Sequence, residues 1–467
     1  MISQKDFRRR ERILHGSLIA TIISICAPIF LYNMFNSFYA IIDAVVVSKI
    51  NPTSVSAVSS LSQIQHLLSS LGSGLAAGGG ILVARHFGAG DTEKARFYSN
   101  QTIALSTVII ALLIGICVPF ALPIMKVSGV PDEIIAIGTG YFIVQIITLA
   151  FVFYNSVFMS MQKAKGNTKV MFWLNILAMI VKLTLSVLFI WGMELRDVVW
   201  VAVATLIGQA LMFVTLLFMM LEKNNVFIIK LKEFKPSFAT CGKILSISLP
   251  IFLGKFIFSF GKVSINSMCK AYGPLVVGAL GVSNNINGLI TTPINSFEEG
   301  TSTIISQNLG AKNPKRAIKT FTYSFFMATA LGIIGYILVR FICQDAIINL
   351  YNQNADAADM GLFLALIKDI HQYDSLSILA LAVNSAVLGV LYGFGQTKLT
   401  MLLNISRVFV FRIPVLWYLQ TFHKEIGAEA AGISMGISNI CIALTSLTCL
   451  GFFLLRLKKN GYENISK

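Results

Sequence analysis

The 467-residue chain is 55% hydrophobic and only 12% charged, with a mean hydropathy of +0.75 and a formal net charge of +16. A soluble domain carries roughly 25% charged residues, so a water-soluble globule is excluded. The basic charge does not signal a nucleic-acid binder, because it is dispersed between apolar runs such as 103–123, 170–193, 198–221 and 431–455, each close to or beyond the ~20 residues that cross a bilayer as a helix.

Arg8, Arg9, Arg10 and Arg12 precede the first apolar stretch, which is well beyond a signal-peptide core and has no small-residue cleavage site after it; a retained first helix is expected. Spans are predicted over 15–48, 53–84, 100–125, 134–162, 169–192 and 197–221, then over 243–271, 276–306, 320–343, 360–392, 399–421 and 428–455. With the N-terminus in the cytoplasm, basic residues gather in alternate connections: Arg85, Lys94 and Arg96; Lys163, Lys165 and Lys169; the lysines of 223–243; Lys312, Lys315, Arg316 and Lys319; Lys398; and the tail. This positive-inside pattern places both termini in the cytoplasm. The glycine-rich run 72–80 lacks the strand-to-helix context and Lys-Ser/Thr ending of a phosphate loop and reads as close helix packing. Seven cysteines, scattered and without metal-ligand spacing, read as small buried hydrophobes.

The chain contains itself twice. Pro28-Ile-Phe-Leu31 recurs as Pro250-Ile-Phe-Leu253, a shift of 222 (250 − 28), which also carries Gly78 onto Gly300, Gly88-Ala89 onto Gly310-Ala311 and Ala95 onto Ala317. Later the shift is 229, carrying Asn155 onto Asn384, Gly166 onto Gly395 and Asn175 onto Asn404. The expected fold is an all-α membrane protein of twelve transmembrane helices in two pseudo-symmetric six-helix bundles, 1–221 and 243–467, joined by a cytoplasmic linker at 222–242. An even number of spans per half makes the repeat parallel, the geometry of rocking alternating access around a mid-membrane site.

Tyr39-Ala-Ile-Ile-Asp43-Ala-Val-Val-Val-Ser48 followed by Val55-Ser-Ala-Val58, the loops Ala84-Arg-His-Phe-Gly88-Ala-Gly90 and Ser306-Gln-Asn-Leu-Gly310-Ala-Lys312, and the turn Gly395-Gln-Thr-Lys398 recur in register in the two halves. Together they resemble the signatures of the multidrug and toxic compound extrusion (MATE) transporters. The resemblance implies an antiporter exporting organic solutes, driven by H⁺ or Na⁺, needing no cofactor and working as a monomer among membrane lipids, in the inner membrane of a bacterium.

A carboxylate in a span marks an ion or proton site by default, which singles out Asp43. By resemblance, Ser186 stands where many members carry a second Asp, Lys182 stands where they carry an Asn, and Ala202-Val-Ala-Thr205 matches a family motif. Asp43, Lys182 and Thr205 all fall roughly 12–15 Å from the outer ends of their helices at 1.5 Å per residue. The first-half coupling set is therefore Asp43, Lys182, Ser186, Thr205 and Asn175. Na⁺ needs oxygen ligands and a lysine supplies only donors, so proton coupling is expected. In the second half, Lys255 is expected to pair with Glu298 or Glu299, Lys262 lies deeper on the same helix, and Arg412 matches Asp369 in depth with His371 and Asp374 further in. A flippase for lipid-linked saccharides is the alternative within the superfamily, drawing on Lys182, Lys262, Arg407 and Arg412. A membrane-embedded transferase lacks an acid/base cluster outside the surroundings of His371, and a channel lacks a filter-like loop.

Overall fold

The computed structural model describes the backbone of residues 3–48, 52–127, 132–195, 197–234, 237–349 and 357–460. Within these stretches, the side chains of 40–48, 52–60, 62, 63, 127, 132–134, 136, 137, 231, 274 and 357–359 lie outside the described set. In chain order the helices are α1 (Gln4–His15), α2 (Leu18–Ser48), α3 (Pro52–Gly88), α4 (Thr92–Cys117), α5 (Ala121–Val127), α6 (Asp132–Ala164), α7 (Thr168–Val187), α8 (Val198–Leu221), α9 (Phe238–Cys269), α10 (Pro274–Ile294), α11 (Ser296–Gly310), α12 (Pro314–Ile337), α13 (Gln344–Asn349), α14 (Ala357–Asp374), α15 (Ser377–Gly393), α16 (Thr397–Ser406), α17 (Ile413–Phe422) and α18 (Glu429–Lys459). No strand occurs among the described residues.

Among the described residues, ten helical stretches are long and apolar enough to cross a bilayer, and the pair α14–α15, bent by 44°, makes an eleventh. The stretch predicted as the span 276–306 is two helices, α10 and α11, that meet at Asn295. Pro293 removes a backbone donor just before the break, and Asn284, Asn285 and Asn287 dilute the apolar character of α10.

The chain forms two compact units, Met1–Phe252 with Ser306–Lys312, and Leu253–Ile305 with Asn313–Lys467. The first has a core around Phe87, Phe158, Met161, Leu216 and Phe227. Its glycine run is a packing surface: a Cβ at Gly72 would lie 2.7 Å from the Phe153 ring, at Gly79 2.5 Å from Thr102, and at Gly74 2.8 Å from Phe252. Close approach of backbones is what small residues in spans permit. Gly88 abuts the carbonyl of Gln307, and Gly310 abuts the carbonyl of Arg85. Those are the same contact under the shift of 222 (85 + 222 = 307; 88 + 222 = 310), so the end of α3 and the end of α11 cross at equivalent points. The 222–242 segment is clamped to α4 by Glu233, which takes Arg96 at 3.1 Å and Asn100 at 2.8 Å, while Gln101 donates to its main-chain oxygen at 2.6 Å. The second unit packs around Ile286, Ile367, Ile370, Ile378, Leu416 and Ala431.

The repeat extends to the caps. Asp91 accepts from the Lys94 N–H at 3.0 Å to start α4, and Asn313 accepts from the Arg316 N–H at 3.1 Å to start α12, each satisfying an orphan donor. The N–H and the ammonium of Lys94 hold the Asp91 carboxyl below its ordinary 3.8. The cap is therefore fully in place above that value and weakens as pH falls through the lower, folded one. Before each cap stands a left-handed residue, Gly90 at φ 82° in the first half and Lys312 at φ 55° in the second. A side chain in that conformation costs about 1 kcal/mol or more. Lys312→Gly should stabilise the protein by about 1 kcal/mol, read as a raised midpoint of thermal unfolding in detergent, while Gly90→Ala should lower it.

Candidate functional site

In the first unit, Asn175, Lys182 and Ser186 are spaced seven and four apart, one stripe along α7. Gly208 of α8 abuts that stripe: a Cβ there would lie 2.9 Å from the Ala178 carbonyl and 3.5 Å from Lys182 Cβ. Thr205, one turn before Gly208, shares the α7–α8 seam. The Lys182 ammonium stands 4.8 Å from the centre of the Tyr39 ring, a cation–π contact. Tyr39 is one turn before position 43 on α2, so the chain brings Lys182 to the level of Asp43, whose side chain is outside the described residues. Asn175 donates to Met171 O at 2.7 Å and Thr205 to Val201 O at 3.0 Å, each bonding its own helix. Ser186 is fully buried, and its hydroxyl finds no partner among the described residues.

In the second unit a polar chain runs through the bundle. Asp374 is buried; Ser283 donates to its Oδ2 at 2.8 Å and Ser377 to its Oδ1 at 3.0 Å. Asn439 Nδ2 donates to the Ser377 hydroxyl at 2.7 Å. Asn439 Oδ1 in turn accepts from Arg407 Nε at 2.7 Å and Arg412 Nη2 at 3.0 Å, and Arg412 Nε also donates to Ser438 at 3.0 Å. Arg412 thus reaches Asp374 through Asn439 and Ser377.

Both arginines can share one acceptor because residues 407–412 form a π-type turn, closed by the Ile413 N–H on the Val408 carbonyl five residues back. In an α-helix residues five apart diverge by about 140°; the wider π turn brings them onto one side, and such insertions concentrate at functional sites. Gly261 of α9 seats against Val408 of the same turn. One turn along α9, Phe258 carries two cations on its ring, Lys262 at 5.1 Å and Arg407 at 4.7 Å. Lys262 and Arg407 share that ring, and Arg407 leads through Asn439 to Arg412 and on to Asp374, so three basic side chains stand along this path with one carboxylate.

Other sequence-derived candidates fall outside this chain of bonds. Among the described ion pairs none joins Lys255 to Glu298 or Glu299. Those carboxylates occupy the first turn of α11, where the helix N-terminus favours negative charge. Asp369, five residues before Asp374 on α14, points about 140° away around the helix. His371 is fully buried, with neither ring nitrogen partnered among the described residues. Sequence inspection did not find Ser283, Asn287, Ser377, Ser438 or Asn439. The available signal was Ser283 and Asn287 four apart, and Ser438-Asn439 inside an otherwise apolar run.

The signature of the MatE family matches residues 28–188 and 250–418, one copy in each repeat. The chain belongs to the MATE family. Multidrug export protein MepA of Staphylococcus haemolyticus (strain JCSC1435) is 22% identical over 448 residues, covering 95% of this chain and 95% of the relative. Two solved structures share the fold at 18% identity. One is an outward-facing multidrug resistance MATE family transporter of the MOP superfamily, with a TM-score of 0.88 over 99% of this chain and 100% of that one. The other is a MOP superfamily transporter from Pyrococcus furiosus, described as having a binding pocket of reverse polarity that suggests a different function, with a TM-score of 0.90 over 98% and 99%. The MATE chain described here is a multi-pass protein of the plasma membrane.

If the polar chain holds the second unit together, Asp374→Leu should destabilise the transporter by about 3–5 kcal/mol, since it leaves buried cations without their carboxylate. Arg412→Leu should destabilise it by less, since Arg407 still shares the Asn439 oxygen. The double variant should lose less than the sum of the two by more than the ~0.5 kcal/mol expected of independent sites. Thermal unfolding in detergent checks this; additive losses would show that Asn439 and Ser377 do not couple the two charges.

Proposed function

We propose that this MATE transporter exports small organic compounds in exchange for protons, by rocking alternating access. The observation that carries the choice of ion is the company kept by its membrane carboxylate. Asp374 already accepts from two hydroxyls, and the chain of bonds beyond it ends in guanidiniums. In the first unit the ammonium of Lys182 occupies the level of Asp43. Na⁺ requires a shell of oxygen acceptors, and neither Lys nor Arg offers one. A proton needs only a carboxylate whose charge the surroundings answer.

In everted membrane vesicles, a pH gradient should energise uptake of a multidrug probe, while a Na⁺ gradient with pH clamped should contribute little. Asp43→Asn should abolish gradient-driven uptake in protein that still inserts and unfolds at the wild-type temperature. Full uptake on a Na⁺ gradient alone would overturn the proton assignment, and undiminished uptake by Asp43→Asn would take Asp43 out of the coupling and leave Asp374.

The two cations on Phe258 favour a second reading of the cargo, in which the exported compound carries an anionic group that meets Lys262 and Arg407 while its apolar part lies on the ring. The flippase alternative uses the same side chains, and the multidrug-export relatives lend it no support. Lys262→Gln with Arg407→Gln should weaken transport of carboxylate-bearing probes at least tenfold relative to neutral ones, measured as competing uptake in the same vesicles.

A further inference from the structure

The helix α1 ahead of the first span is anchored at several points. Ile13 and Leu14 are buried, Arg10 donates to the Phe87 and Gly88 carbonyls at 3.0 and 2.9 Å, and Thr21 donates to Arg12 O at 3.1 Å. Buried Asp6 takes Arg9 at 2.7 Å and lies 3.8 Å from Lys165. Glu11 is engaged with Arg10 at 3.4 Å and His15 at 3.7 Å. The acids of α1 are thereby spoken for, and Arg8 and Arg12, with Lys169 from the start of α7, have no carboxylate partner among the described residues. These three line a cavity of about 340 Å³ together with Arg9, Ser24, Gly166 and Asn167. No acid lines it.

Exposed apolar side chains adjoin the lining residues along α1, α2 and α7. Phe7, beside Arg8, is 47% exposed; Ile23, beside Ser24, is 48% exposed; Trp173, one turn after Lys169 on α7, is 67% exposed. On a spanning bundle, a large exposed apolar side chain faces hydrocarbon, and tryptophan gathers at the level of the headgroups. A basic cavity whose lining helices also expose large apolar side chains offers both what a lipid phosphate and what its acyl chains need. A solvated positive-inside loop would need neither the fixed helix nor the apolar neighbours.

We propose that this cavity binds the phosphate of an anionic glycerophospholipid from the leaflet at the α1 end. Arg8, Arg12 and Lys169 hold the phosphate oxygens, and the acyl chains lie along Ile23 and Trp173. Each basic residue near an anionic surface contributes enough to change affinity about fivefold.

Trp173 supplies the readout. Full-length transporter in mixed micelles is titrated with phosphatidylglycerol or phosphatidylcholine brominated on the acyl chains, and the signal lost in Trp173→Phe is taken as the local quenching. Phosphatidylglycerol should quench Trp173 preferentially. The preference should fall about fivefold in Lys169→Gln, which touches none of the contacts anchoring α1, and vanish in Arg8→Gln/Arg12→Gln/Lys169→Gln. Equal quenching by the two lipids, or a preference that survives in the triple variant, overturns the proposal. So does loss of the preference on adding millimolar inorganic phosphate but not chloride at equal ionic strength, which would assign the cavity to a soluble phosphate.

Discussion

A polar group inside a bilayer has no water to fall back on, so every donor and acceptor exposed by a charge or a break must be met by the protein itself. The second unit is organised around that requirement. Its bend between α14 and α15 and its break between α10 and α11 each free backbone carbonyls, and side chains meet them: Asn287 donates to Asp374 O at 3.0 Å, and Ser385 donates to Ile294 O at 3.1 Å. The same bend sets Ser377 beside Asp374, and the π turn sets Arg407 beside Arg412. In this unit, irregular backbone and buried charge therefore meet at the same places.

The repeat conserves packing and lets chemistry diverge. Glycine crossings, capping residues and the left-handed positions Gly166 and Gly395, at φ 76° and 78°, correspond under the two shifts. The charges do not. Lys182 maps onto Phe411 (182 + 229 = 411), Ser186 onto Val415, and Arg407 back onto Ala178. Backbone geometry is constrained by neighbouring helices on every side, whereas a polar side chain need only find its own partners, so the two halves carry different polar side chains on one scaffold.

How much was legible in the sequence follows the same division. Features written in local pattern, such as the apolar runs and the Gly72–80 packing surface, could be read from spacing. Features that depend on a departure from the α-helical period could not. Arg407 and Arg412 fall on different faces of an ideal helix, and only the wider turn brings them to Asn439. Matching Lys255 to Glu298 or Glu299 rested on depth along the helices, which fixes a level and leaves the facing direction open. Serines and asparagines in apolar runs were passed over because, one at a time, they look like ordinary helix-bonded side chains, as Asn175 and Thr205 in fact are.

The signs of the charges restrict how exchange can work. Arginine stays protonated in proteins, so Arg407 and Arg412 are constant, and among the groups linked by the Asn439 chain only Asp374 changes charge. Linkage is reciprocal: a proton on Asp374 weakens binding of a cation nearby and strengthens binding of an anion. Antiport through one site needs the first sign, with proton and cargo displacing each other. A cargo whose anionic group sits on Lys262 and Arg407 would be drawn in by protonation of Asp374, which is the sign of co-transport. Proton exchange for such a cargo must then be driven from the other unit, where Lys182 stands at the level of Asp43. A cationic cargo, by contrast, would compete with the proton at Asp374 itself. If protons drive export, the charge of the exported compound decides which of the two units can couple to them.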